Sequence, residues 1–154
     1  MADTKAAKPR TSKDRTAGGA QWTQDEIDAM KERAKELKTA KGGQVDGTKD
    51  LLAKIAEMSG SDRDMAERLH ASIMAAAPQL TPRTYYGMPA WAKDGKVLCF
   101  FTPAAKFKER YASFGFNTGA NLDEGSMWPT SWALTKLTAE DEARIVALVK
   151  QAVS

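Results

Sequence analysis

Few side chains in this chain could carry out chemistry on their own. There is one histidine, His70, and one cysteine, Cys99. A Ser-His-Asp or Cys-His mechanism would have to use His70, which falls between Leu69 and Ile73 at the margin of a helical apolar stripe. No second histidine exists to complete a two-histidine metal site. Cys99 lies in Val97-Leu98-Cys99-Phe100-Phe101, which offers neither the positive charge nor the exposure that activates a thiol. His70 therefore reads as a partly exposed packing residue and Cys99 as core filling. No catalytic residue emerges.

Carboxylates could hold a hard cation such as iron without histidine. Asp28, Glu32 and Glu36 follow i, i+4, i+8 along one helix side, and Glu140, Asp141 and Glu142 open the last helix. Lys31, Arg33, Lys35 and Lys38 interleave with the first set, as on a solvated face. Gly42-Gly43-Gln44-Val45-Asp46-Gly47-Thr48-Lys49 nearly spells a phosphate-binding loop. Its threonine precedes its lysine and a helix precedes the whole, so it reads as an interhelical linker.

The aromatic segment says most. Of twelve aromatic residues, all but Trp22 lie between Tyr85 and Trp132. Tyr85-Tyr86-Gly87-Met88-Pro89-Ala90-Trp91 joins large π faces to a glycine and a proline, and Met127-Trp128-Pro129-Thr130-Ser131-Trp132 repeats the combination. These rings either fill the core of a small sheet, build a concave apolar pocket, or stack on bases beside Arg83, Lys93, Lys96 and Lys106. The expected site is a cleft near Tyr86, Met88, Trp91, Trp128 and Trp132. It would hold a small apolar or planar ligand or a peptide, with Lys96 or Lys106 orienting an anionic group.

The elements that must position these residues follow from periodicity. Thr23-Gln24-Asp25-Glu26 has capping-box spacing, and Trp22 and Ile27 flank it as a staple. Ile27, Met30, Ala34 and Leu37 predict a first helix over 23–40 with that stripe inward. A second helix runs from Thr48 to Met58, and a third follows Ser61 with Met65, Leu69, Ile73 and Ala76 as its stripe before Pro78. Strands are predicted over 83–88, 96–102, 111–117 and 131–135, the first two pairing through Asp94-Gly95. Thr138 caps a final helix carrying Ile145, Leu148, Val149 and Ala152. Helices, then strands, then a helix give an α+β fold: an antiparallel sheet of four to five strands with N-terminal helices and a C-terminal helix.

Composition bounds the rest. The chain has 154 residues, 42% hydrophobic and 28% charged, as in a globular domain. No apolar run exceeds about five residues, against the roughly twenty that span a bilayer. Its net charge of +3 resides wholly in residues 1–21, where five basic residues face two acidic ones. The remaining 133 residues balance eighteen against eighteen. That opening segment has no Leu, Ile, Val or aromatic residue and reads as a disordered basic arm, with residues 22–154 as one folded domain. No apolar region follows its charges as in a signal peptide, so the expected compartment is the cytoplasm. Nucleic acid would be met only through the arm. A neutral body rich in aromatics predicts a homodimer through an exposed sheet face.

Tyr86-Gly87-Met88-Pro89-Ala90-Trp91, Gly95-Lys96-Val97 with Phe100-Phe101, Phe114-Gly115-Phe116, Leu122-Asp123-Glu124-Gly125, Met127-Trp128-Pro129 and Leu148-Val149-Lys150 resemble the YdhG-like family of small bacterial domains. The resemblance covers residues 48–152. It implies a compact α+β domain with an antiparallel sheet and packed helices. Some relatives are described as frataxin-like intracellular iron chaperones, which implies iron as an alternative ligand for the carboxylates above.

Overall fold

Turn chemistry sets the sheet. In the computed structural model, which describes residues 21–40 and 46–154, Tyr86 and Gly87 both take positive φ, 53° and 75°. That is the backbone of a two-residue hairpin turn whose twist suits right-handed strands. It joins β1 (Thr81–Tyr85) to β2 (Met88–Lys93), closing at Tyr85↔Met88. Asp94 and Gly95 repeat the geometry, with φ of 51° and 81°, and close β2 onto β3 (Lys96–Thr102) at Lys93↔Lys96. β4 (Ala112–Phe116) and β5 (Ser131–Leu134) complete an antiparallel sheet in the order β1-β2-β3-β4-β5.

One expectation is corrected here. The run 83–88 is not a single strand paired through Asp94-Gly95. It breaks at Tyr86-Gly87, and the strand entering the second turn begins at Met88. Pro89 hides this strand from a sequence reading, because proline cannot donate to a ladder. In a two-residue hairpin the closing pair exchanges the hydrogen bonds, so the next pair, Thr84↔Pro89, is not hydrogen-bonded. The proline nitrogen thus faces β3, whose pairing starts one residue later at Ala90↔Phe100.

Four helices surround this sheet in chain order: α1 (Gln24–Ala40), α2 (Thr48–Glu57), α3 (Gly60–Ala76) and, after β5, α4 (Ala139–Val153). The fold is α+β with N-terminal helices and a C-terminal helix, as the periodicity predicts. Cross-strand partners share a face, so Pro82, Trp91, Cys99, Phe101, Phe114, Phe116 and Leu134 line one side. That side is dry. Its rings pack with Leu51 and Ile55 of α2, Met65, Leu69 and Ile73 of α3, and Ile145 and Val149 of α4. Thr138 and Asp141 form the reciprocal cap that starts α4. The opposite side presents Arg83, Tyr85, Phe100, Ser113 and Ala133, all at least partly exposed. The Phe100 ring lies over Gly115, where a Cβ would come within 2.8 Å of Cζ.

The first helix departs from expectation. Thr23 and Glu26 exchange the capping-box bonds, yet the stripe is turned outward: Trp22 is 65% exposed, Met30 39% and Leu37 51%. The side facing the sheet carries Ala29, Glu32, Arg33 and Glu36. Charged groups prevail there because the surface they meet is a hairpin tip with free backbone amides and lysines. The predicted arm, apart from residue 21, and residues 42–45 of the glycine-rich linker lie outside the described residues, while its Thr48 and Lys49 begin α2.

Candidate functional site

A bulge in β3 begins the site. Trp91 pairs with Cys99 but Ala92 pairs with Val97, so Leu98 is an extra residue. Such an insertion bends the strand and leaves ladder groups unpaired. Asn117 takes them up: its backbone amide donates to the Leu98 carbonyl at 2.9 Å and its Nδ2 to the Val97 carbonyl at 3.2 Å. The turn over 117–119 is thereby held beside the 93–97 hairpin end, and the space between them opens onto Arg83 and Tyr85 of β1. Arg33 reaches the same space from α1. The result is a groove of about 800 Å³.

Its charge is one-sided. Arg33, Arg83, Lys93 and Lys96 line it against a single carboxylate, Asp94. The Arg33 guanidinium sits 4.8 Å from the Tyr85 ring centre and 5.5 Å from that of Tyr86, within cation–π range of both. Arg33 Nη1 is buried and has no hydrogen-bond partner among the described residues. Glu36 Oε2 lies 3.6 Å from it, an ion pair longer than a hydrogen bond. Arg83 Nη1 donates to the Gly95 carbonyl at 3.4 Å and Lys93 Nζ to that of Val153 at 2.9 Å. Lys96 is exposed and makes no contact with another charged group among the described residues. Unpaired, desolvated N–H donors on a guanidinium are costly unless something accepts from them.

Next to the groove, α1 grips the hairpin tip. Glu36 accepts from the amides of Tyr86 and Gly87, both at 2.9 Å. This double bond offsets the strain of a tyrosine at positive φ. Glu32 accepts from Lys54 and, at 3.2 Å, from Lys106. Its carboxylate fills the place of a side chain at Gly87, where a Cβ would lie 1.6 Å from Oε2. Burial works to raise the Glu32 carboxyl, but the Lys54 hydrogen bond and the Lys106 charge outweigh it and hold the group below its ordinary value. Lys54 is raised in return: burial opposes its charge, and Glu32 more than compensates.

The expected site residues are dispersed. Trp91 is fully buried beneath the helices and Met88 is 6% exposed, its sulfur accepting from Thr102 Oγ1 at 3.1 Å. Trp132 packs edge-on against Phe116, 5.8 Å between centres, and Trp128 is half-buried on the same core. Two strands separate Trp91 from Trp132. Tyr86 and Lys106 belong to the hairpin tip, while Lys96 stands at the other end of β2 in the groove. Of the seven, only Lys96 lines the groove described above, and Met88 and Trp91 are buried.

Among the chemical residues, His70 Nδ1 accepts from Trp91 Nε1 at 3.3 Å, and burial lowers its pKa. Burial pushes the Cys99 thiol far up, so it stays protonated. The carboxylates have other partners: Asp28 accepts from Gln24 Nε2, Asp141 caps α4, Glu142 holds Arg68 and Ser72, and Glu140 is exposed. Among the described residues no group of three or more His, Cys, Asp or Glu is placed to hold a metal ion. Nor is any helix there long and apolar enough to cross a membrane.

Sequence reasoning named Lys96 and set Arg83 beside the aromatics, but missed Arg33, Tyr85 and Asn117 as parts of one site. The Arg83-Thr84-Tyr85 alternation was a usable signal, since it puts the guanidinium and the ring on one sheet face. Compared with protein-family models, curated proteins and solved structures, the chain matches none. The groove sets cationic side chains beside the Tyr85 ring.

Proposed function

We propose that this chain is a cytoplasmic binding domain that takes a small anionic ligand in the groove between the 93–97 hairpin end and the 117–119 turn. One observation carries the reading: Arg33, Arg83, Lys93 and Lys96 line one groove beside the Tyr85 ring against a single lining carboxylate, Asp94. An anion placed there neutralises the repulsion among the cations. The proposal keeps the binding-module reading of the sequence but takes its wall from β1 and α1 rather than from the tryptophans. Membership of the YdhG-like family is proposed with it, on the Tyr86-Gly87-Met88-Pro89 string, whose glycine and proline have the structural duties described above.

Calorimetric titration with pyrophosphate tests the reading. Binding should release measurable heat, weaken as salt screens the cations, and fall at least tenfold in Arg83→Gln/Lys96→Ala, a change of roughly 1.4 kcal/mol or more. No heat, or equal heat in the double variant, overturns it.

A further inference from the structure

We infer that the ligand of this groove is a phosphate monoester of a small organic body, which deepens and rests on the anion-binding reading above. The argument starts from charge. A lining of Arg33, Arg83, Lys93 and Lys96 against Asp94, with Glu36 paired to Arg33, leaves a net excess of two positive charges. A monocarboxylate neutralises one of them. A phosphate monoester carries about −1.5 to −2 at neutral pH and offers three acceptor oxygens.

Geometry makes the same choice. The two arginines come from different elements, Arg33 from α1 and Arg83 from β1, so they converge on the groove as two separate forks. A tetrahedral anion can accept from two forks at once, whereas a planar carboxylate presents its two oxygens to one. Each fork keeps donors to give. Arg33 uses only Nη1 in its ion pair with Glu36, and Arg83 spends one nitrogen on a long 3.4 Å bond to Gly95. Lys96 adds an unpaired ammonium at the exposed rim.

Size then requires more than the phosphate. Inorganic phosphate would leave most of about 800 Å³ unfilled, a volume in the range that holds whole metabolites. Tyr85 and Val97, both partly exposed, provide the apolar wall against which an organic body would lie. The Tyr85 ring is braced by Tyr86 at 4.7 Å and Phe100 at 5.4 Å between centres, so it is a rigid surface.

The test is a calorimetric panel on the full chain with adenosine monophosphate, adenosine, citrate, pyrophosphate and a single-stranded oligonucleotide. Adenosine monophosphate should bind at least tenfold more tightly than citrate or adenosine, and at least tenfold more tightly than pyrophosphate. Arg33→Lys, which keeps the charge but removes the fork, should lose that preference over citrate, and Lys96→Ala, at an exposed side chain, should weaken binding severalfold. Citrate or pyrophosphate matching the monophosphate refutes the monoester while leaving the anion groove standing. An oligonucleotide binding where the monophosphate does not refutes it in favour of nucleic acid. Failure of every anion removes the groove reading as well.

Discussion

The two faces of the sheet are made from the same strands and both carry rings, yet they differ in what accompanies those rings. On the helix side Trp91, Phe101 and Phe114 are completely buried and touch aliphatic side chains of α2, α3 and α4. On the other side Tyr85 and Phe100 are partly exposed, and their neighbours are Arg33, Arg83 and a glycine. An aromatic residue is a packing element or a recognition element according to whether its unsatisfied neighbours are apolar or charged. The dry face carries stability and the charged one carries the proposed binding, so substitutions should separate the two properties.

The largest expected effect belongs to the dry face. Trp91→Ala should cost about 3–5 kcal/mol, read by urea denaturation, because it empties the centre of the core. A loss under about 1 kcal/mol would mean that the faces are not distinguished by burial. Gly87→Ala comes next, at about 2–3 kcal/mol: it forces a Cβ into the Glu32 carboxylate at a φ of 75°. Glu36→Ala should cost about 1–3 kcal/mol, since the Tyr86 and Gly87 amides lose their acceptor.

A smaller effect tests the dry face through protons. His70 Nδ1 must stay unprotonated to accept from Trp91, and burial lowers the folded-state pKa below the ordinary 6.5. Between those two values the unfolded chain holds more protons, so this stabilisation is complete above pH 6.5 and is lost as pH falls toward the folded value. Urea midpoints compared at about pH 7.5 and about pH 5.5 should show the decline, and His70→Gln should flatten it. The Glu32 contribution has the same sign in a lower window, present above its ordinary 4.5 and lost in more acid solution. Smallest of all, Lys96→Ala should leave stability within about 0.5 kcal/mol while reducing pyrophosphate affinity. A stability loss above that would tie the charged face to folding.

Much of the architecture was legible because local signals agreed with the global fold. The capping residues Thr23 and Thr138, the Asp94-Gly95 turn and the stripes of α2, α3 and α4 all point the same way in sequence and structure. The site was less legible, for two reasons. The first helix obeys an apolar period whose stripe faces outward, so Arg33 and Glu36 were read as solvated when they meet the hairpin tip. Side-chain size also misled: tryptophan draws attention, but burial of Trp91 is decided by three helices far from it in sequence. Lys96 was found because a turn lysine stays exposed in any fold of the hairpin.

The most direct measurement is an amide NMR titration of the full chain with adenosine monophosphate. Perturbations should concentrate on β1 from Arg83 to Tyr85, on residues 93–97 and on residues 117–119, with the amides of α3 and α4 unchanged. A footprint on α3 and α4, or one centred on Trp128 and Trp132, would contradict the assignment of binding to the charged face.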